Sequence, residues 1–399
     1  MNTVVVSGLG VVSPHGHDAG GMFAALLRGE SAIQPIYPEL ARAAAAGRVE
    51  FDETRWFSKL QLAGVDRVSQ LAVAAADLAL RDANALTDVD LERVGVFVGC
   101  GMGGAAALEG AYRSTGRVPP LTIPAFMPNA PAAHIAMRHG IHGPVLTYSV
   151  ACASSAVAIA EAAKAVACGD VDVAVAGGSE ALLVPGVLLA WQAMMTLAPV
   201  LPGEAGRACR PFAADRAGFV LGEGAAFIVL ESAERVRARA ARPYARLAGW
   251  GLTCDATHLT KPDAHGQERA LRQALRVAGL QAADVGYCNA HGTATTIGDA
   301  VEANALRSVW GAALDDLRVS STKGLHGHLL GAAGALEAVV TVLALHHQQL
   351  PPNANCAVPD PALGLNLVTS GQAAPGLQAA ISSSFAFGGT NAVLAFQRS

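Results

Sequence analysis

Charge is scarce in this 399-residue chain: Asp, Glu, Lys and Arg make up 15% of it, while hydrophobic residues make up 52%. Such a chain buries a large apolar core and leaves much of its polar surface to loops, in keeping with its 43 glycines. There is no basic excess either. The net charge of −4 offers no footprint for a nucleic-acid backbone, so no nucleic-acid partner is expected. The first residues run directly into a strand-like segment at 3–6, without a basic leader and apolar stretch, so no signal peptide is expected. The longest apolar helical run, residues 329–345, is interrupted by Glu337 and reads as a core helix rather than a membrane span. The seven cysteines (Cys100, Cys152, Cys168, Cys209, Cys254, Cys288 and Cys356) are scattered, odd in number and without a CxxC pair. That points to reduced thiols in a cytoplasmic protein.

What is present is a regular alternation of strands and helices. Strand-like runs fall at residues 3–8, 94–98, 145–150, 171–176 and 225–230, and again at 244–249, 285–289, 317–321, 379–383 and 391–396. Apolar or amphipathic helices separate them, notably at 68–81, 153–167, 267–278 and 328–347. The pattern predicts an α/β fold with mainly parallel sheets covered on both faces. Val5-Val6-Ser7-Gly8-Leu9-Gly10 is echoed by Arg246-Leu247-Ala248-Gly249-Trp250-Gly251, each opening a comparable series of elements. The length suits a duplicated unit, and with no low-complexity linker the two halves are expected to pack as one body.

Several motifs are set aside. Gly8-Leu9-Gly10 follows a strand, but Ser13 stands where a dinucleotide fingerprint has its third glycine. Gly99 to Gly104 also follows a strand, and neither run has an acidic strand end about twenty residues on; both read as tight turns. The pairs His15/His17, His326/His328 and His346/His347 lack an accompanying carboxylate or thiolate set, so no metal site is expected.

Four loops resist dismissal, because each follows a strand, where parallel sheets place their ligand sites. Tyr148-Ser149-Val150-Ala151-Cys152-Ala153-Ser154-Ser155 puts Cys152 where a strand turns into a small-residue helix. A thiol there sits among unpaired N–H groups at the positive end of the helix dipole, which favours the thiolate, although a lone Cys among alanines is more often a packed hydrophobe. Asn289 to Thr295 carries His291; Ser320 to His328 carries Lys323 and His328; Ser384 to Asn391 is a glycine-rich turn able to present backbone N–H groups.

At these residues the chain resembles the β-ketoacyl-acyl-carrier-protein synthases, specifically their elongating type II branch. The resemblance runs from Val6-Ser7-Gly8-Leu9-Gly10 to Phe387-Gly388-Gly389-Thr390-Asn391, through Ala176-Gly177-Gly178-Ser179-Glu180, Arg210-Pro211-Phe212 and Gly218 to Gly224. Initiating ketosynthases pair their Cys and His with an Asn, so His328 separates the chain from that branch. The resemblance implies the thiolase fold, two similar α/β halves in a five-layered αβαβα sandwich. Residues 1–240 would carry the nucleophile and 241–399 the two histidines.

It also implies the chemistry. Cys152 would accept the acyl chain, and His291 and His328 would stabilise the enolate left when malonyl carrier protein loses its carboxylate. The N–H groups of Cys152 and Phe387 would form the oxyanion hole. Lys323, with Glu337, would order the site electrostatically. Thr293 and Thr295 match positions that bind the phosphopantetheine arm, and Phe387 a gating phenylalanine. Leu108, Phe126 and Trp191 match substrate-pocket positions, while Met127 matches one reaching across from a second subunit. The implied partners are an acyl carrier protein, which brings the phosphopantetheine so that the enzyme needs no cofactor of its own, and a second subunit. That subunit would be an identical copy or a chain-length-factor homologue. No membrane association is implied.

Departures from primary fatty-acid enzymes are Ser155 for a Gly, Thr296 for a Pro and Ala386 for a Gly; residues 198–201 also lack a basic residue for carrier docking. They favour a specialised pathway, such as a type II polyketide or aryl-polyene system, as an alternative to fatty-acid synthesis. Other readings fit less well. A thiolase needs a second Cys where Phe385 to Gly389 has none, a non-catalytic chain-length partner usually lacks the Cys, and a cysteine hydrolase has no evident orienting Asn or Asp.

Overall fold

Eleven strands form one hydrogen-bonded sheet in a computed structural model that describes residues 2–399. In chain order they are β1 (Val4–Val12), β2 (Val94–Gly99), β3 (Val145–Tyr148), β4 (Val173–Glu180), β5 (Gly224–Ser232), β6 (Ala245–Cys254), β7 (Tyr287–Asn289), β8 (Arg318–Ser320), β9 (Asn366–Leu367), β10 (Ala379–Phe385) and β11 (Thr390–Arg398). Their spatial order is β9-β8-β7-β10-β11-β6-β1-β5-β4-β2-β3. The ten predicted strand runs are all strands here, and the four predicted helices are all helices.

The sheet has a seam where β1 and β6 pair antiparallel, Val5 opposite Arg246 and Val6 opposite Ala245. On one side the first five strands lie in the order first, fifth, fourth, second, third. On the other side β6, β11, β10, β7 and β8 repeat that permutation, with β9 added at the edge. The sequence echo marks equivalent places: a Cβ on Gly8 or Gly10 would strike Ala79 and Ala75 of one helix, and on Gly249 or Gly251, Ala274 and Ala270 of another. Each glycine pair lets a helix lie directly on its strand.

The six long helices are α1 (Arg67–Ala83), α2 (Ala130–His139), α3 (Ser154–Cys168), α4 (Ala264–Ala278), α5 (Thr296–Trp310) and α6 (Ala333–His347). Strand side chains alternate between two faces, and each face has its own core. Val173 and Val175 of β4 pack with α1 and α2, whereas Ala174 and Ala176 pack with α3 and α6. Across α3 and α6 the opposite side of that central core is made by Ala380, Leu394 and Phe396, while Ile381 and Val393 face α4 and α5. The result is five layers, αβαβα, with α3 and α6 in the middle. Every residue of α6 from Ala333 to Leu345 is buried, so it is apolar all round rather than on one stripe. The segments Ala151–Cys168 and Leu330–His347 are long and apolar enough to cross a membrane, yet 67% and 89% of them is buried inside the protein. Their hydropathy belongs to the central layer.

One expectation needs correction. Five of the ten pairings in the sheet are antiparallel, including all those around β1, β5, β6 and β11. These strands are buried on both faces and read as apolar runs just as parallel strands do, so hydropathy could not separate the two. A small sheet of Ile33–Ile36, Ala44–Gly47 and Leu221–Gly222 was also not foreseen.

Candidate active site

Cys152 lies in a single 3-10 turn, Ala151–Ala153, between β3 and α3. Ala151 holds a left-handed φ of 49°, a conformation costing a non-glycine residue on the order of 1 kcal/mol. The same device recurs in the other half, where the turn Leu330–Ala332 precedes α6 and Leu330 has φ 47°. Cys152 and Gly331 thus occupy equivalent places. Ser155, fully buried, accepts the N–H of Ala335 at 2.9 Å and so caps α6 from α3.

His328 precedes that second turn. Its N–H donates to the carbonyl of Val220 (2.7 Å), and its carbonyl accepts the N–H of Gly222 (2.9 Å), so the Gly218 to Gly224 segment clamps it from both sides. Its Nε2 lies 3.1 Å from Cys152 Sγ. Nδ1 accepts the N–H of Leu330 at 3.3 Å, which puts the ring proton on Nε2, facing the sulfur. His291, at the end of β7, meets the His328 ring edge-on with centroids 5.4 Å apart. Its Nδ1 lies 3.3 Å from the Lys323 ammonium, a donor only, so its proton also sits on Nε2. Burial and the Lys323 charge hold both imidazoles well below the usual histidine range, and both are neutral.

Lys323 is completely buried; it pairs with Glu337 and donates to the His291 carbonyl at 2.5 Å. Burial raises Glu337 to about 7. Burial likewise pushes the Cys152 thiol up to about 12, while Lys323 and the N–H groups of Phe387 and Cys152 pull it down. Loss of water and the helix terminus thus pull the thiol in opposite directions, and loss of water is the larger.

Phe387 follows β10 in a hairpin whose next residues, Gly388 (φ 86°) and Gly389 (φ 79°), are left-handed. Thr295 caps α5 by accepting the Gly298 N–H (3.1 Å) and bonds Thr293 at 3.0 Å. Cys152, His291, His328, Thr293, Thr295, Phe387 and Trp191 all line one cavity of about 460 Å³. Trp191 stacks on Phe387 (6.1 Å) and meets Phe219 edge-on (5.5 Å). Leu108, on helix Ala105–Arg113, and Phe126, ending helix Thr122–Phe126, do not line it, and Glu337 stands behind Lys323.

Two carboxylates with no role foreseen support the site. Glu302 accepts the N–H groups of His291 and Gly292, each at 2.8 Å. Glu180 accepts those of Gly101 (2.8 Å), Met102 (3.3 Å) and Gly331 (3.0 Å). The sequence signals for Glu180 were its place in the block Ala176 to Glu180 and a charge at the end of an otherwise apolar strand.

One donor atom each from Cys152, His291 and His328 lies within 4.8 Å of the others, close enough for a metal. Their polarity is wrong for one. A ligating histidine offers a bare nitrogen and donates from the other, whereas here both Nδ1 atoms accept and both Nε2 atoms carry protons. His326 is occupied by the Gly327 carbonyl and Thr322 Oγ1.

Residues 1–235 match the family Beta-ketoacyl synthase, N-terminal domain, and residues 244–357 match Beta-ketoacyl synthase, C-terminal domain. The chain is 41% identical to nodulation protein E of Rhizobium meliloti over 99% of both chains. It is 36% identical to 3-oxoacyl-[acyl-carrier-protein] synthase 2 of Staphylococcus aureus (strain N315), over 99% of this chain and 98% of that one. The solved ishigamide ketosynthase/chain length factor superposes with a TM-score of 0.91 at 32% identity, covering 100% of this chain and 99% of that one. The doubled α/β frame and the two matched domains define a condensing acyltransferase. The chain belongs to the β-ketoacyl synthase family, and its reaction is carbon–carbon bond formation between acyl groups, as a β-ketoacyl-acyl-carrier-protein synthase.

Proposed function

We propose that Cys152 is the acyl acceptor of this synthase and that His291 and His328 form its decarboxylation site. The observation that carries the reading is the His328 Nε2–H held 3.1 Å from Cys152 Sγ with Nδ1 already occupied. Sulfur attacks the thioester carbonyl of an acyl carrier protein; the C–S bond to the carrier breaks, and the thiol proton leaves with the carrier's thiol. The oxyanion formed on the way is held by the N–H groups of Cys152 and Phe387, the same two that oppose the effect of burial on the thiol. Burial penalises the thiolate but not the acyl thioester, which is uncharged, so the loaded enzyme is comfortable in the dry site.

Malonyl carrier protein then loses its carboxylate. The electron pair becomes an enolate whose oxygen is held by the Nε2–H groups of His291 and His328, each worth a few kcal/mol in a site without water. The enolate carbon attacks the acyl group on Cys152, the C–S bond breaks, carbon dioxide departs, and the thiolate takes one proton from solvent. Lys323 and Glu337 set the proton position on His291 and the local field; they are positioning residues. Thr293 and Thr295 bind the phosphopantetheine arm, which the carrier supplies, so the enzyme needs no cofactor of its own. Phe387 gates the thiol, and Trp191 stacks on it.

The halves divide at residues 240 and 241, thiol in the first and histidines in the second. The protein is cytoplasmic and acts as a dimer across the free edge of β3, where Val145 and Leu146 are 38% and 44% exposed. Leu108, Phe126 and Met127 then line an acyl pocket completed by the second subunit, identical or a chain-length-factor homologue. The likeness to nodulation protein E and to the ishigamide ketosynthase/chain length factor favours a specialised chain over housekeeping lipid.

Intact mass after incubation with a panel of saturated and polyenoyl carrier proteins tests the reading. An acyl adduct is expected on the native enzyme and none on Cys152→Ala, while condensation by Cys152→Ala would refute the assignment. Adducts with saturated chains only would defeat the specialised pathway.

A further inference from the structure

Six buried polar side chains line the cavity that ends at Cys152: Asp255, Gln267, His291, Glu302, His328 and Asn391. Five of them are already engaged within the chain. Asn391 donates to Asp255 (2.6 Å), Glu302 accepts the His291 N–H (2.8 Å), His291 Nδ1 faces Lys323 (3.3 Å), and His328 Nδ1 accepts the Leu330 N–H (3.3 Å). Gln267 is the exception. It is 1% exposed, as deeply buried as His328, yet its Oε1 has no hydrogen-bond partner among the described residues. Buried polar groups are nearly always paired, and one left unpaired on a cavity wall points to a ligand that completes it.

Its place in the fold says which part of a substrate it meets. Gln267 sits one turn before Ala270 and Leu271 on the buried face of α4. Those two pack in one cluster with Phe385, whose ring meets His291 edge-on with centroids 6.1 Å apart. Cys152 packs instead with Phe219 and Trp191. Gln267 therefore lines the His291 side of the cavity, where the reading above places the malonyl unit. That unit brings an ionised carboxylate into a dry site, and an ionised group there needs a donor. The Nε2–H groups of His291 and His328 go to the thioester oxygen, and Lys323 is engaged by Glu337 and the His291 carbonyl. Lys261, the lining residue with a permanent positive charge, is exposed on the loop after β6.

We infer that the Gln267 carboxamide holds the carboxylate of the malonyl unit by donating an N–H to it, so that Gln267 is a specificity-determining residue for a carboxylated extender. The inference rests on the ketosynthase reading above. The carboxamide has two N–H donors to give. A neutral donor also suits the step that follows, in which the carboxylate loses its charge and leaves as carbon dioxide. A Lys or Arg in that position would favour the charged ground state over the transition state, whereas an amide binds the group and releases it more readily.

The test measures KM and kcat for carbon-dioxide release from malonyl carrier protein, and KM for acyl transfer to Cys152 from an acyl carrier protein. It compares the native enzyme with Gln267→Met and Gln267→Glu. Met keeps the length and removes the donor; Glu keeps the shape and sets a negative charge against that of the extender. In either variant malonyl KM should rise about tenfold or more, as when a hydrogen bond to a charged group is lost. Its kcat should hold or rise, because the bond is made in the ground state and given up as the charge leaves. Acyl-carrier KM should not follow. Free Gln267→Met should melt no lower than the native enzyme, since it loses an unpaired buried amide. A malonyl KM unmoved in both variants overturns the inference. So does an equal rise for both carrier substrates, which would assign the contact to the arm they share, or a lowered Tm in Gln267→Met, which would give the amide a structural partner. Failure of native Cys152 to accept any acyl group refutes the ketosynthase reading itself.

Discussion

Leu330 donates its backbone N–H to Nδ1 of His328, two residues before it, and that one contact decides what the ring can do. With Nδ1 filled, the imidazole can give a hydrogen bond from Nε2 but cannot take a proton there. His328 therefore serves a developing negative charge better than it serves the thiol as a base. In His328→Ala, self-acylation of Cys152 should persist while decarboxylation and condensation fall by roughly 10²–10³-fold. Intact mass and carbon-dioxide release separate the two steps. Loss of acylation with decarboxylation intact would reverse the assigned roles.

The Lys323–Glu337 pair is fully buried, and breaking it by one partner leaves a charge stranded. Lys323→Met should cost about 3–5 kcal/mol of stability, measured by denaturant unfolding. The double variant Lys323→Met/Glu337→Gln should recover much of that stability without recovering condensation, because the donor that orders His291 Nδ1 is still gone. Recovery of both would make the pair purely structural.

The Ser155 hydroxyl accepts the Ala335 N–H and so caps α6. Ser155→Gly should lower stability by about 1 kcal/mol through loss of that cap, seen as a lower denaturant midpoint. An unchanged midpoint would mean that the Ala335 N–H finds another partner.

Burial raises Glu180 to about 7, above its ordinary value of 4.5. A carboxyl raised on folding stabilises the protein fully below its unfolded pKa, and that contribution is lost as pH climbs through the folded one. Thermal stability attributable to Glu180 should therefore decline between about pH 4.5 and 7. In Glu180→Gln that part of the decline should vanish, shown by a smaller difference in Tm between acidic and neutral buffer. An identical pH profile in the variant would remove Glu180 from the titration.

Much of this was readable from the chain alone. The ten main strands follow from short apolar runs bounded by turns, and the echo of Gly8 and Gly10 in Gly249 and Gly251 marks a close helix–strand approach that only a residue without Cβ permits. The loops bearing Cys152, His291, His328 and Phe387 were found because each ends a strand. Strand direction escaped, since β1, β5, β6 and β11 look alike in either sense when buried on both faces. The desolvation of Cys152 escaped as well: a helix terminus is local and visible in sequence, whereas burial is a property of the assembled site. Glu180 and Glu302 act through backbone N–H groups of Gly101, Gly331 and His291, and such contacts leave no side-chain pattern to read.

The turns before α3 and α6 match down to the left-handed Ala151 and Leu330, so the loop carrying the sulfur and the loop carrying His328 hold equivalent places in the repeated strand order. Their meeting brings His328 Nε2 to 3.1 Å from Cys152 Sγ. One copy bears the thiol and the other the imidazole. The duplication thus yields a single cavity lined by unlike residues from two like halves.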